Sequence, residues 1–377
     1  MVEFSLDRAK YHVNARINIK RPAEVAYFSY DEKGELHPFS DRSLRYYFPA
    51  FSSVPHAPRA SQSIDLSNGF DKFKRKDDSK AEHLDSLLAT IEALERRDGK
   101  KTDVNFITWR GMMTKLVTAL YDQEDEFEML ATLYQTARNQ KQAAQFRKPR
   151  DGFDSNVMTY WGYKFEALSL LKRPHTEASR EEIENRDQEV VENSSQYCSI
   201  VRTGIGNASF IIGGEVDGVM GFKPDNSDDP HRWIELKTAR KPESPRDFDI
   251  HSKKLLKFWA QSYLVGCPTV IVGYRDRRGI LYELEELETH RLQALAHRIS
   301  SLKWEGNDCL HTVSAFLGFL KQNINGPGVW RLSRGKGMPW ISVRKESDVV
   351  GTGNIISESF KRWRESPECA TEDTAPV

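Results

Sequence analysis

Two apolar segments of this chain carry charged side chains at their centres, and this feature limits how the chain can fold. The charged residues are Glu215 and Asp217 in FIIGGEVDGVM (210–220), and Glu235 and Lys237 in RWIELKTAR (232–240). Burying an ionised carboxylate costs several kcal/mol unless a positive group offsets the cost. The fold must therefore expose these groups to water or place a positive charge among them.

Both segments are predicted to be β-strands, joined through the turn-forming sequence KPDNSDDP at 223–230. Alternation along a strand places Glu215 and Asp217 on one face, and in the same way it places Glu235 beside Lys237. If the strands pair, three carboxylates and one ammonium group converge on a small patch. Carboxylates this close repel and raise one another's pKa, whereas Mg²⁺ or Mn²⁺ bound among them removes the conflict. The alternative is a solvated face of an antiparallel sheet on which Lys237 pairs with a carboxylate.

The spacing Asp217–x17–Glu235–x–Lys237 is that of the D…(D/E)xK nuclease active site. In such sites the acidic groups hold one or two metal ions, which generate a hydroxide and stabilise charge on the phosphoryl group. Lys237 would orient or help to deprotonate the attacking water. Asp and ExK at loose spacing also occur by chance, so the pattern needs support from neighbouring segments.

The predicted helix 252–266 offers one such support. It carries Lys253, Lys257 and Gln261 four residues apart, where hydrogen-bond donors could face a metal–phosphate site. For the two lysines we favour the plainer alternative, in which their stems flank the apolar stripe of the helix. That alternative does not explain Gln261.

Two further charged residues have both a functional and a structural interpretation. Glu166 lies beside the apolar stripe of the predicted helix 156–171, and it is either a site residue or a solvent-facing residue balanced by Lys164. Arg110 in TWRG (108–111) could hold a phosphate with its forked guanidinium or cap a turn.

The remaining pattern predicts one continuous α/β domain over 1–365 and a disordered polar tail over 366–377. The predicted helices are 82–97, 105–120, 156–171 and 252–266, with one or two more after 285. The predicted strands are 43–49, two within 197–220 joined at Gly-Ile-Gly-Asn, 232–239 and the hairpin 268–284. Residues 136–152 are predicted to be a loop or an exposed helix end.

Composition and charge exclude several classes of protein. No apolar run approaches the ~18–20 residues of a membrane span, and Met1–Lys20 lacks the apolar core of a secretory signal. The four cysteines lack CxxC spacing, which favours a reducing, intracellular compartment. The 55 basic and 55 acidic residues give zero net charge, so a nucleic acid would have to be held by a local cluster or by metal ions.

Six motifs occur in order and at fitting distances along the chain. They are TWRG (108–111), WGYKFEAL (161–168), YCSIVR (197–202), GGEVDG (213–218), IELKT (234–238) and KKLLKFWAQSYLVG (253–266). Together with RPAEVAYFS and LRYYFP nearer the amino terminus, they resemble the decapping exoribonuclease (DXO) family over about residues 20–285. Fungal nuclear members of that family partner the nuclear 5′-to-3′ exoribonuclease.

The resemblance implies a role for each matching residue. The implied metal ligands are Glu166, Glu215, Asp217, Glu235 and the backbone carbonyl of Leu236. The residues implied to contact the scissile phosphate or the attacking water are Lys237 and Gln261. The residues implied to meet the 5′ end or the RNA backbone are Trp109, Arg110 and Gly111, and the residue implied to line the substrate pocket is Cys198. Catalysis is then expected to rest on Glu215, Asp217, Glu235, Lys237 and Gln261.

The resemblance also implies a fold and an activity. The expected fold is α/β, with a two-sheet mixed core, flanking helices and the metal site in a cleft between the sheets. The expected reaction is hydrolysis at RNA 5′ ends, dependent on one or two Mg²⁺ or Mn²⁺ ions. Family substrates are 5′-triphosphate RNA, incompletely methylated caps and NAD caps, and some members also degrade the exposed 5′-monophosphate RNA. Nuclear localisation and a nuclear 5′-to-3′ exoribonuclease partner are implied as well.

Two departures and two alternatives accompany the resemblance. Gly218 follows the acidic pair where relatives often carry another small residue such as Cys, and residues 122–150 do not show the strand pair expected there. One alternative is a mainly structural activator of a partner exoribonuclease. The other is a DNA nuclease with the same class of metal site.

Overall fold

The computed structural model of the protein describes residues 1–53, 63–77, 83–136, 139–147, 155–224 and 230–366. For residues 52–53, 135–136, 139–147 and 155 it describes the backbone alone. The predicted tail after Ser366 lies outside the described residues. The division into a domain over 1–365 and a tail from 366 therefore stays a prediction.

The larger of two β-sheets has ten strands within the described ranges. They are β1 (Val2–Ser5), β2 (Ile19–Tyr30), β3 (Leu36–Pro38), β6 (Phe106–Trp109), β7 (Phe127–Thr136), β8 (Asn139–Arg147), β10 (Gln196–Ile205), β11 (Ala208–Glu215), β16 (Val329–Arg334) and β17 (Trp340–Lys345). Their spatial order is β1-β17-β16-β7-β8-β6-β11-β10-β2-β3. β6 runs parallel to β8 and β11, and the other pairings in this sheet are antiparallel.

The smaller sheet has seven strands in the same described ranges. They are β4 (Tyr46–Tyr47), β5 (Ile64–Asp65), β9 (Leu170–Leu171), β12 (Gly218–Val219), β13 (Trp233–Ala239), β14 (Thr269–Arg275) and β15 (Ile280–Glu288). Their spatial order is β5-β15-β14-β13-β12-β4-β9. β13 lies parallel to β14, and β14 and β15 form the predicted hairpin.

Helices flank both sheets. Those that the structure describes are α1 (Arg8–Tyr11), α2 (Asp85–Asp98), α3 (Arg110–Thr118), α4 (Ser155–Ser169), α5 (Arg180–Glu184), α6 (Pro245–Val265), α7 (Leu292–Ile299), α8 (Gly306–Asn323) and α9 (Glu358–Glu365). The longest, α6, begins where Ser244 and Asp247 cap each other reciprocally, and it ends at Gly266, which adopts φ 71°. Within the described parts of the chain, no helix is both long and apolar enough to cross a membrane.

One buried cluster joins the two sheets. It contains Phe210 of β11, Trp233 of β13 and Leu256 of α6. A second cluster packs Leu87 of α2 on the far face of the ten-stranded sheet, and a third packs Phe165 of α4 on the far face of the seven-stranded sheet. The predicted fold class, a two-sheet α/β core with flanking helices, is confirmed.

Several predicted elements are confirmed and others are wrong. The helices 82–97, 156–171 and 252–266 and the strand 232–239 are present, with ends shifted by a few residues or, for α6, extended by two turns. The predicted helix 105–120 is wrong at its start, because Phe106–Trp109 pairs with β11 as a strand before α3 begins. The loop predicted at 136–152 is wrong for Asn139–Arg147, which pairs with β7. This is the strand pair that the resemblance implied.

Candidate active site

The acidic residues lie where the chain crosses from the larger sheet to the smaller one. β11 ends at Glu215, and β12 begins at Gly218, which pairs with Ile234 of β13. The pairing considered for segments 210–220 and 232–240 therefore occurs only at Gly218 and Val219, because the first segment is divided between two sheets. The predicted convergence of charges nevertheless occurs at the junction between the two sheets, where β11 passes into β12 beside β13. This junction is called the seam below.

Two glycines allow the start of α3 to approach this seam. A Cβ atom at Gly213 would lie 2.6 Å from the ring of Trp109, and a Cβ atom at Gly214 would lie 3.1 Å from Arg110 Cβ and from Val265 Cγ1. Side chains at these two positions would push α3 and α6 away from β11. The Gly-Gly pair before Glu215 therefore brings Arg110 to the acidic residues.

Glu235 is buried and bound by two cations. Its side chain is 1% exposed, its Oε2 atom lies 2.7 Å from Arg110 Nη1, and its Oε1 atom lies 2.6 Å from Lys237 Nζ. Burial favours the neutral acid, but Arg110 and Lys237 outweigh it and lower the pKa of Glu235 to about 2. Glu235 is therefore held ionised. The solvated face of the alternative is wrong for Glu235, although the pairing of Lys237 with a carboxylate that it included is present. Arg110 forms an ion pair rather than capping a turn.

Asp217 is fixed against the backbone of the neighbouring strand. Its Oδ2 atom accepts a hydrogen bond from the N–H of Leu236 at 2.6 Å. Because the N–H and C=O groups of one residue in a strand point to the same side, the Leu236 carbonyl also faces the seam, away from β14. The oxygen that the resemblance implied as a metal ligand therefore points towards the carboxylates.

Glu166 reaches the same region from α4. The helical spacing buries Trp161 and Phe165 against the smaller sheet, and it leaves Glu166 at the edge of that face. Lys164 is itself buried and donates to the Asp187 carbonyl at 2.5 Å. The alternative of a solvent-facing Glu166 balanced by Lys164 is therefore wrong.

A cavity of about 420 Å³ borders the seam, and Glu166, Glu215 and Asp217 contribute to its wall. Burial, followed by the charge of Glu235, raises the pKa of Asp217 to about 7. Burial and the neighbouring carboxylates also raise the pKa of Glu166 well above its ordinary value, and burial raises the pKa of Glu215. The charged forms of these three groups are therefore disfavoured, whereas the charged form of Glu235 is stabilised.

The donor set fits a hard divalent cation. Four carboxylates and a backbone carbonyl are all oxygen ligands, which Mg²⁺ and Mn²⁺ prefer. Within the described structure no three of the four carboxylates have oxygen atoms all within 4.8 Å of one another, but burial and the repulsion between them raise the pKa of Glu166 and Asp217. A positive ion between Glu166, Glu215 and Asp217 would remove that repulsion.

A second cluster, formed by Asp31, Glu35 and His37, has closely spaced ligand atoms but a structural explanation. Asp31 accepts hydrogen bonds from the amides of Lys33 and Glu35 at 2.9 Å each. Its other oxygen lies 2.9 Å from His37 Nε2, and Arg42 Nη1 lies 2.9 Å from the same nitrogen. These contacts organise the turn between β2 and β3.

The structure places the proposed RNA-contacting residues around the seam rather than on the cavity wall. Trp109 packs on Gly213 and donates from its indole to the His83 carbonyl at 3.2 Å. Gly111 is exposed in the first turn of α3, where a Cβ atom would meet nothing within 4 Å. Cys198 is buried directly across from Glu215 in the β10–β11 ladder. Their contacts with RNA stay predictions.

The donors predicted on α6 differ from one another. Gln261 is half-buried one turn before Val265, the residue that packs near Gly214. Lys257 is instead bound to Asp122, with an Nζ–Oδ2 distance of 2.9 Å. Gln261 therefore lies nearer to the seam in the helix packing, and its contact with substrate stays a prediction.

The basic side chains on the cavity wall were not predicted from the sequence, and Arg45 and Lys74 are two of them. Arg45 precedes the short strand β4, and its carbonyl accepts a hydrogen bond from Val219 at 2.9 Å, next to Gly218. Arg45 lies in SLRYYFP (43–49), which was predicted to be a strand and contributed to the family resemblance, but to which no site residue was assigned. A charged residue within an apolar segment was the signal available, as it was for Glu215 and Glu235.

Comparison with known proteins agrees with this geometry. A family model described as RAI1 like PD-(D/E)XK nuclease matches residues 20–361. Curated relatives named Decapping nuclease RAI1 include one from Aspergillus fumigatus, 46% identical over 92% of this chain and 94% of its own length. Another, from Emericella nidulans, is 44% identical over 92% of this chain and 94% of its own length.

Solved structures show the same fold. Candida albicans Rai1 in complex with pU5-Mn²⁺ superimposes with a TM-score of 0.83, at 25% identity, over 97% of this chain and 99% of that chain. Scheffersomyces stipitis Rai1 in complex with (3′-NADP)⁺ and calcium ion gives 0.82, at 27% identity, over 97% and 100%. The family model, which matches residues 20–361, includes every residue of the seam. The chain belongs to the RAI1-like PD-(D/E)XK nuclease family.

Proposed function

We propose that this protein is a divalent-metal-dependent hydrolase of RNA 5′ ends, a pyrophosphohydrolase and decapping nuclease. The observation that carries the proposal is the convergence of four acidic side chains, the Leu236 carbonyl and Lys237 at the seam between the sheets. The names of the curated relatives support the same activity. The proposed substrates are 5′-triphosphate RNA, incompletely methylated caps and NAD caps, with 5′-to-3′ degradation of the exposed 5′-monophosphate RNA.

Ions held by Glu166, Glu215, Asp217, Glu235 and the Leu236 carbonyl would supply a hydroxide nucleophile at neutral pH and stabilise charge on the phosphoryl group. Glu235 keeps its negative charge because Arg110 and Lys237 bind both of its oxygens. Asp217 is oriented by the Leu236 amide. The protein thus contributes carboxylates held in fixed orientations, and it contributes Arg110 and Lys237, which are bound to Glu235.

Lys237 acts as a donor rather than as a base. Burial opposes its charge, but Glu235 and Asp217 outweigh burial and raise the pKa of Lys237. An ammonium group that stays protonated can donate to a phosphate oxygen or orient the attacking water, but it does not accept the water's proton. This favours orientation over deprotonation among the two roles considered for Lys237.

We also propose that the protein is nuclear and works beside a nuclear 5′-to-3′ exoribonuclease. The support is its membership of the RAI1-like family together with the family resemblance of its motifs. Hydrolysis at the 5′ end and 5′-to-3′ degradation of the exposed RNA would then act in sequence. Co-purification of the tagged protein from nuclear extract tests this association, and recovery without any exoribonuclease would contradict it.

Incubation of one RNA with three different 5′ ends tests the catalytic proposal. Triphosphate, unmethylated-cap and NAD-capped forms should each release a 5′-end product in Mn²⁺, and EDTA should prevent release. The double variant Glu215→Gln with Asp217→Asn should lower the rate by about 10³-fold or more, because it removes two charged ligands. The control Glu283→Gln, an exposed residue paired with Lys241, should behave as wild type.

One outcome would contradict the proposed active site, and two others would favour the alternatives. If the double variant cleaves normally, the seam is not the active site. If duplex DNA is cut at least as well as triphosphate RNA, the protein is a DNA nuclease with the same class of metal site. If the double variant loses hydrolysis yet still stimulates a partner exoribonuclease, activation is a separate function of the protein.

A further inference from the structure

The cavity wall is acidic overall, which raises the question of how it accepts a polyanion. Seven carboxylates and five basic side chains line the cavity in the described structure. The basic side chains are Arg45, Lys74, Lys172, Arg173 and Arg186. A substrate with several phosphates would be repelled unless metal ions and uncommitted cations offset this charge.

Three of the five basic groups are already bound to protein atoms. Lys172 Nζ lies 3.4 Å from Glu189, and Arg173 Nε lies 3.1 Å from Glu182. Arg186 donates to the carbonyls of Leu168, Ile183, Pro49 and Ala50. These three groups have other roles, so they offer little to a ligand.

Arg45 and Lys74 differ from the other three. Among the residues that the structure describes, neither side chain has a hydrogen bond or an ion pair within 4 Å. Arg45 is half-buried, and burial lowers its pKa even though Glu189 and Glu192 lie near enough to oppose the change. A guanidinium withdrawn from water without a partner is destabilising unless a ligand binds it.

The position of Arg45 connects it with the seam. Its backbone carbonyl is bound to the Val219 amide, and the Cβ position of Gly218 lies 3.1 Å from the same oxygen. Gly218 follows Asp217 directly, and Asp217 and Arg45 line the same cavity. A forked guanidinium matches two oxygens of one phosphate, so this site suits phosphate better than a point charge would.

We propose that Arg45, assisted by Lys74, forms a second phosphate subsite in the cavity, which holds a substrate phosphate other than the scissile one. The proposal rests on the proposed function for the identity of its substrate. The phosphate comes either from the leaving group of a polyphosphorylated 5′ end or from the RNA backbone. In both cases Arg45 determines how tightly the 5′ end binds and does not take part in the chemical step.

Kinetics of Arg45→Met on triphosphate and monophosphate RNA of one sequence, in Mn²⁺, test the subsite. Loss of a charge-assisted contact should raise KM about 10- to 100-fold, while kcat changes less than about threefold. Arg45→Lys should recover part of the loss. The control Arg173→Met removes a charge from the same cavity wall, but one already bound to Glu182, and it should leave KM within about twofold.

The two RNAs distinguish the sources of the phosphate. A rise in KM confined to triphosphate RNA assigns the subsite to the leaving group, whereas an equal rise for both RNAs assigns it to the RNA backbone. An unchanged KM for both RNAs, or an equal rise in Arg173→Met, would overturn the proposal. The melting temperature of Arg45→Met should not fall, because removing an unpaired, desolvated cation costs no ion pair, and a fall of several degrees would indicate a structural role instead.

A binding measurement separates this proposal from the proposed function. Calorimetry with inorganic tripolyphosphate and Ca²⁺ should show binding to wild type and at least tenfold weaker binding to Arg45→Met. If that difference is found while no RNA 5′ end is hydrolysed, the subsite stands and the proposed function fails. If hydrolysis is normal and both proteins bind tripolyphosphate equally, the subsite fails and the proposed function stands.

Discussion

Replacing Asp217 with asparagine should stabilise the protein at neutral pH once metal ions are removed. Burial and Glu235 raise the pKa of Asp217 from its ordinary value of 3.8 to about 7. Between these two values the folded protein holds a proton that the unfolded chain has lost, so the free energy of unfolding falls as pH rises. Above pH 7 the charged form is buried among other carboxylates, and the full destabilisation is present.

The size of the effect follows from the same interval. The range from 3.8 to about 7, at about 1.4 kcal/mol per pH unit, corresponds to about 4 kcal/mol of unfolding free energy. Asp217 lines the cavity, where solvent would screen its charge, so this is an upper limit. Glu235 changes stability with the opposite sign, but its pKa is lowered to about 2, so its contribution is complete above pH 4.5.

Urea unfolding in EDTA between pH 4 and pH 8 measures this effect. Asp217→Asn keeps the oxygen that accepts the Leu236 amide and removes only the charge. The variant should match wild type near pH 4 and exceed its stability by up to about 4 kcal/mol at pH 8, with most of the change between pH 5 and pH 7. A variant less stable than wild type at pH 8, or a difference independent of pH, would refute the electrostatic reasoning.

Three further predictions concern the metal, the substrate and the packing. Mn²⁺ should raise the melting temperature more at pH 8 than at pH 5.5, because protons compete with the metal ion for the carboxylates. The increase should vanish in the double variant of Glu215 and Asp217. Equal increases at both pH values would contradict this prediction. RNA binding in Mg²⁺ should depend weakly on salt, with a log–log slope of roughly −2 to −3 for a few phosphate contacts, and a much steeper slope would indicate an extended basic surface. Gly213→Ala should lower the free energy of unfolding by about 1–3 kcal/mol, because its Cβ would meet the Trp109 ring at 2.6 Å. The control Gly162→Ala, in the helix α4 with nothing within 4 Å, should instead raise it by about 0.5–1 kcal/mol, and urea unfolding of both variants checks the contrast.

The elements that were predicted correctly carry their pattern within a short segment. Helix α4 shows its buried face in Trp161, Phe165 and Leu168, which are spaced at helical intervals. Glu235 and Lys237 share a strand face, so local alternation was enough to place them together. Such patterns depend on neighbours two to four residues away, and these are visible in the sequence.

The elements that were missed depend on partners far along the chain. β7 has apolar residues on both faces, with Met129 in one buried cluster and Leu130 against another, so it shows no simple alternation. β8 is polar, and it is a strand because it pairs with β7 and β6. β11 and β12 read as one strand in the sequence, since the break at Val216 and Asp217 does not interrupt the alternation.

At the seam, the negative charge of the carboxylates is offset in two ways, by basic side chains of the protein and by the metal ions that the site would bind. The charge of Glu235 is balanced by ion pairs with Arg110, which is distant in sequence, and with Lys237. Counting the four carboxylates against these two cations leaves a formal charge of −2, which one divalent ion cancels. A second ion would leave an excess of +2, and a polyphosphorylated 5′ end supplies the negative charge to balance it. A chain with no net charge can thus attract a polyanion only after its acidic site has bound metal ions, so metal and substrate binding are coupled by charge rather than by a basic surface.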